Sequence, residues 1–255
     1  MMKKILLSAA TVAAVFSAMQ AVQAEQINVA VAANFTAPAK ELAPIYEKAT
    51  GDRVVLSFGA TGAFYAQIKN GAPFDVLLAA DDTTPKKALD EGYAVPGTAF
   101  TYAIGRLVLW SSDANLIKGN ADVLKTGAVA HVAVANPKLA PYGLAAHEAM
   151  RSLGIESAVA PKIVEGDSIG KTFQFVKTGN AQAGFIALSQ CFKDGKITSG
   201  SGWILPQSLY KPIAQDAVLL RHGKENSGAH RFLKFLKESE AASKIRAAYG
   251  YDTAQ

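Results

Sequence analysis

The chain has 255 residues, a formal net charge of +5 and a single cysteine. Its Lys and Arg residues are scattered, with no dense basic cluster interleaved with aromatics, which argues against a nucleic-acid partner. Cys191 cannot form an internal disulfide, and its setting in Ala187-Leu188-Ser189-Gln190-Cys191-Phe192 suits a small buried filler rather than a reactive thiol.

The N-terminus carries export information. Met1-Met2-Lys3-Lys4 is a short basic segment, Ile5 to Met19 is apolar and rich in small residues, and Val22-Gln23-Ala24 offers a small-x-small cleavage point. Residues 1–24 therefore read as a secretory signal. The apolar run is short for a membrane span, and no later stretch is long and apolar enough for one. The mature chain, from about Glu25, keeps 231 residues and a charge of about +3, enough for one large domain or two modest lobes.

Ile27 to Ala32 is an apolar strand. A helix is expected over Ala37 to Thr50, stopped by Gly51, with Pro44 in conflict with its interior. Val54 to Phe58 is a strand, Gly62 to Asn70 a short helix, and Phe74 to Ala79 a buried strand. Thr84-Pro85 should open the next helix, with Thr84 as N-cap. This alternation implies a parallel sheet covered by helices on both faces.

Phe100 to Trp110 is expected as one long strand leaving this unit. A second α/β unit follows: strand His131 to Ala135, helix Leu144 to Leu153, strand Lys162 to Glu165, helix Ser168 to Thr178 and strand Gly184 to Leu188. Strand Asp216 to Arg221 and helices Ser227 to Lys237 and Glu240 to Tyr249 complete the chain. No flexible tether separates the units, so two lobes joined by strands should enclose a cleft.

Three strand-to-helix junctions carry small neutral donors, Ala33-Asn34-Phe35-Thr36, Gly59-Ala60-Thr61-Gly62 and Pro141-Tyr142-Gly143, and a fourth, Asp167-Ser168-Ile169-Gly170, is similar but leads with a carboxylate. A helix N-terminus presents unpaired N–H groups and the positive end of the helix dipole. Asn34, Thr61 and Ala80 fall where α/β sheets bind ligands, at the carboxyl ends of strands. Asn34 and Ser168 would equally suit simple helix caps. Junctions converging from two lobes could hold a small anion without metal or arginine.

These segments, together with Gly71-Ala72-Pro73-Phe74-Asp75-Val76, Ala79-Ala80-Asp81 and Asn136 to Gly143, resemble the periplasmic molybdate-binding proteins of ABC transporters over nearly the whole mature chain. The resemblance implies the type II periplasmic binding protein fold, α/β, with lobe one over 25–103, lobe two over 104–211 and a return to lobe one over 212–255. It implies an oxyanion site at Asn34, Thr61, Ala80, Tyr142 and Ile169, supported by the backbone of Ala33, Phe35 and Ala60. Asn34 and Thr61 would contribute side chains, and Ala80 and Ile169 their N–H groups. A tyrosine that many members use falls on Ala187 here, and Tyr142 is the expected substitute donor. It further implies a periplasmic, monomeric, cofactor-free protein that delivers molybdate or tungstate to a membrane permease.

The donor chemistry agrees. Molybdate, tungstate and sulfate are unprotonated at neutral pH and only accept hydrogen bonds, whereas phosphate is partly protonated and rewards a carboxylate acceptor. The five candidate residues include no carboxylate, although Asp81 and Asp167 are neighbours. Sulfate or phosphate binding and an oxyanion-sensing domain remain alternatives. An enzyme is disfavoured: His147-Glu148 lacks the second histidine of a zinc-protease helix, Gly59 to Gly62 lacks the ending of a phosphate-binding loop, and no Gly-x-Ser-x-Gly elbow occurs.

Overall fold

The computed structural model describes residues 24–252, so the expected signal segment, apart from Ala24, lies outside the described residues. The strands are β1 (Gln26–Ala32), β2 (Arg53–Gly59), β3 (Val76–Leu78), β4 (Phe100–Gly105), β5 (Leu107–Ser111), β6 (Val132–Ala135), β7 (Ile163–Gly166), β8 (Ala183–Ala187), β9 (Phe192–Lys193), β10 (Lys196–Ile197), β11 (Ser201–Ile204) and β12 (Ile213–Leu219). The helices are α1 (Thr36–Thr50), α2 (Thr61–Lys69), α3 (Thr83–Asp90), α4 (Pro141–Ser152), α5 (Glu156–Val159), α6 (Ile169–Lys177), α7 (Ser227–Glu238) and α8 (Glu240–Ala248).

Two five-stranded sheets organise the chain, in the orders β2-β1-β3-β12-β4 and β11-β5-β8-β6-β7. In the first, β1 pairs in parallel with β2 and β3, while β12 runs antiparallel between β3 and β4. In the second, β6 is parallel to β7 and β8, and β5 is antiparallel to β8 and β11. Both sheets are thus mixed rather than purely parallel, because β5 and β12, the strands by which the chain enters each lobe from the other, run against the strands of the α/β units.

Alternation builds the core of each lobe. Ile27, Val29 and Val31 of β1 pack with Phe35, Leu42 and Tyr46 on one face, while Ala30 meets Phe64, Ile68 and Leu77 on the other. In the second sheet Val132 and Val134 face α4, and Ala133 packs with Trp110 and Val176. Burial of both strand faces explains the near-continuous apolar runs in the sequence.

The segment Phe100 to Trp110 is two strands, not one. β4 and β5 belong to different sheets and are separated by Arg106, so the chain changes lobe there and returns between β11 and β12. Helix α1 continues through Pro44, which lies on its exposed side, where water can reach the carbonyl left without an N–H partner. Thr84 is not the cap of α3: the Asp81 carboxylate instead accepts from the Thr84 N–H (2.8 Å) and hydroxyl (3.1 Å). Helix α4 starts at Pro141, three residues before Leu144, because proline at the first position costs no helical hydrogen bond. No described helix is long and apolar enough to cross a membrane. Cys191 is buried, and burial pushes its thiol up to about 12.

Candidate functional site

The carboxyl ends of β1, β2 and β3 face the N-termini of α4 and α6 across the cleft. Between them is a small pocket, about 10 Å³ in volume. Asn34, Thr61, Ala80, Tyr142 and Ile169 all line it, with Ala33 and Ala60. No Asp, Glu, Lys, Arg or His does. Phe35 does not reach it; its ring packs edge-on against Tyr102 and Tyr251 in the lobe-one core. Asp81 is turned to its capping role, and Asp167 accepts from the Ser168 hydroxyl at 3.2 Å.

The backbone supplies donors from both lobes. In α2 the Gly62 and Phe64 amides are engaged with Leu139 O and Ala60 O, both at 3.0 Å. The Thr61 amide stands at the first helical position, where the helix has no acceptor to offer. In α4 Pro141 has no N–H, Gly143 bonds to Ala140 O at 2.9 Å, and the Tyr142 amide is left over. In α6 the Ser168 hydroxyl caps the Lys171 amide (3.2 Å) and Ser168 O accepts from Thr172, which leaves the amides of Ile169 and Gly170. Ser168 is thus a helix cap, as its residue type suggested.

Two side-chain hydroxyls are set by the bonds they accept. The Ala80 amide donates to Thr61 Oγ1 at 2.9 Å. That N–H is therefore committed, contrary to its expected role as a direct ligand, and it fixes the threonine hydroxyl with its own hydrogen still available. Gln215 Nε2 donates to the Tyr142 hydroxyl at 3.0 Å, which again leaves the phenol hydrogen unspent. Tyr142 is 1 % exposed, and burial holds its pKa well above the ordinary tyrosine range, so the phenol is a neutral donor.

Asn34 departs from its expected role as a side-chain donor. Its Nδ2 gives hydrogens to Gln215 Oε1 (2.8 Å) and Tyr251 OH (2.9 Å), and its Oδ1 is buried without a partner. The Asn34 carbonyl accepts from the Ser189 hydroxyl at 2.8 Å. What Asn34 brings to the pocket beyond this web is its backbone, in the 3-10 turn Ala33–Phe35. Ala187, buried at the end of β8, does not line the pocket, whereas Tyr142 does.

Gln215 is the residue that sequence reading missed. It lies inside β12, is 0 % exposed, and stands upstream of the segment expected as a strand. A polar residue in an apolar strand was the available signal.

The family profile described as "Bacterial extracellular solute-binding protein" matches residues 27–252. The chain belongs to this family. The solute-binding protein is 54% identical over 231 residues to the molybdate-binding protein ModA of Azotobacter vinelandii, covering 91% of each chain. It is 52% identical to the Rhodobacter capsulatus protein of the same name, covering 90% of this chain and 89% of that one. A solved Azotobacter vinelandii periplasmic molybdate-binding protein superposes with a TM-score of 0.86 at 39% identity, over 90% of this chain and 100% of that one. The Mycobacterium tuberculosis sulfate-binding protein SubI shares the fold alone, with a TM-score of 0.72 at 13% identity over 89% of this chain and 86% of that one.

Proposed function

We propose that this solute-binding protein captures molybdate, or its near-isostere tungstate, in the interlobe pocket and delivers it to an ABC permease in the periplasm. The observation that carries this reading is the small pocket with uncharged walls and unspent donors from both lobes. It is supported by relatives that are molybdate-binding proteins.

The chain's own groups would act as follows. Thr61 contributes its hydroxyl and amide from lobe one, with Ala80 holding the hydroxyl in place. Asn34 contributes its amide. Tyr142 contributes its phenol and amide from lobe two, and Ile169 its amide. The N-termini of α2, α4 and α6 add their dipoles, which favour negative charge without a countercharge. Hydrogen bonds to an ionised partner are the stronger kind, and a dry pocket strengthens them further. A protonated oxyanion rewards a carboxylate acceptor, and the pocket's side chains include none. Phosphate is therefore disfavoured, while molybdate and sulfate differ chiefly in size. No step requires a nucleophile, a base or a cofactor, and the role is binding rather than catalysis.

Anion contacts from both lobes would favour the closed arrangement. The test is a thermal-shift panel of molybdate, tungstate, sulfate, phosphate and chromate. Molybdate at ~100 times its dissociation constant should add ~2.7 kcal/mol of stability. Greater stabilisation by phosphate or sulfate would reassign the ligand, and no response to any oxyanion would reject the site.

A further inference from the structure

We propose that Asn34, Gln215 and Tyr142 form a directed hydrogen-bond chain whose last hydrogen points at the bound anion. Gln215, which does not line the pocket, is then a positioning residue for recognition. The proposal rests on the oxyanion reading above.

The direction of the chain follows from the two ends of an amide. Gln215 Oε1 accepts from Asn34 Nδ2 at 2.8 Å, and Tyr102 OH lies 3.1 Å away and can donate to it as well. With its acceptor end occupied in lobe one, Gln215 presents its N–H end to Tyr142 of lobe two, at 3.0 Å. A phenol oxygen that receives an N–H keeps its own hydrogen for another acceptor. The bound oxyanion supplies that acceptor. The upstream end is locked: Asn34 Nδ2 also donates to Tyr251 OH, which in turn has Asn34 O at 2.9 Å and Ser189 Oγ at 3.0 Å as acceptors.

The chain has only one other consistent polarity. Turning both amides by half a turn would let Tyr142 donate to Gln215 and Gln215 to Asn34, and would place an Asn34 N–H where the unpartnered Oδ1 now lies. Because Gln215 joins the two, either polarity sends a side-chain hydrogen to the pocket from Asn34 or from Tyr142, never from both. The observed polarity selects Tyr142. Chains of this kind also polarise one another, so the terminal donor is strengthened by the bonds behind it.

The test is a double-mutant cycle with molybdate titrations of wild type, Tyr142→Phe, Gln215→Met and the double variant, with unfolding of each unliganded protein as a control. Tyr142→Phe is expected to weaken molybdate at least tenfold. Gln215→Met is expected to weaken it about fivefold or more in wild type and less than twofold in the Tyr142→Phe background. Losses that multiply would overturn the proposal, since a merely structural Gln215 would cost the same in both backgrounds. Wild-type affinity in Tyr142→Phe would also overturn it and would indicate the reverse polarity. Should Gln215→Met not fold, the side-chain amide resonances of Gln215 answer the same question. They should shift on molybdate addition in wild type and stay in place in Tyr142→Phe; equal shifts in both would reject the chain. If wild type binds no tetrahedral oxyanion, the oxyanion reading itself fails, which is distinct from binding with multiplicative losses.

Discussion

Gly105 lies directly beneath the hydroxyl of Tyr142. A β-carbon at position 105 would overlap both the phenol oxygen and Gln215 Nε2. The glycine is needed here for space, not for backbone conformation, since its φ is not positive. It also ends β4, where the chain leaves lobe one, so the crossover strand itself makes room for the Gln215–Tyr142 bond.

Gly105→Ala should therefore weaken molybdate by roughly tenfold to a hundredfold, the loss expected for a charge-assisted bond of ~1.5–3 kcal/mol. Calorimetry on the folded variant checks this. Undiminished affinity would mean that the phenol does not contact the anion.

Thr61 provides a second independent loss. Thr61→Val removes the hydroxyl and leaves the Ala80 N–H without its acceptor, whereas Thr61→Ser keeps both. The valine variant should bind about tenfold or more weakly and the serine variant within a few-fold of wild type. Equal affinities for valine and serine would place the anion away from this hydroxyl.

Much of this site was legible from residue types at junctions. The helix starts at Thr61, Pro141 and Ile169 follow strands of the two sheets, and their clustering obeys the general geometry of α/β sheets. Which hydrogens are already spent was not legible. The commitment of Ala80 to Thr61, and of Asn34 to Gln215 and Tyr251, depends on pairs 19, 181 and 217 residues apart. The break at Arg106 was hidden for a similar reason. Phe100 to Trp110 keeps its apolar character across the break, because strands of both sheets are buried on both faces.

Stability at low pH should report on a site remote from the pocket. Asp52 is fully buried as a side chain, which raises its pKa. The guanidinium of Arg231 (2.8 Å), the Tyr46 hydroxyl (2.6 Å) and the Glu25 amide outweigh this and hold it at about 2, against an ordinary 3.8. A depressed carboxylate contributes stability that is full above the unfolded value near 3.8 and is lost as pH falls towards 2. Asp52→Asn should cost about 2 kcal/mol at pH 7 and little near pH 2. Denaturant titrations across this range check it; a pH-independent loss would assign the effect to packing.

A further contact joins the lobes outside the pocket. Lys193, next to the second sheet in β9, reaches Glu41 of α1 at 2.7 Å, and Tyr249 OH donates to the same carboxylate at 2.7 Å. Burial raises the Glu41 pKa, but these bonds prevail and lower it. Such a half-exposed pair is weak and screened by salt. Lys193→Met should therefore enlarge the unliganded protein slightly in small-angle scattering, weaken molybdate only a few-fold, and remove most of the salt dependence of that size. A scattering profile identical to wild type at low salt would remove the pair from any part in closure.

The amide of Gly62 donates to Leu139 O at 3.0 Å, and a β-carbon on Gly62 would already press on Leu139 at 3.2 Å. The bond joins main chain to main chain across the rim, with no side chain that could lengthen or bend to absorb an error. It behaves as a caliper. A solute with more than four oxygens around its centre would prop the jaws apart and leave the bond unmade. Closure of the two lobes around a solute is thus limited by two backbone segments rather than by adjustable side chains.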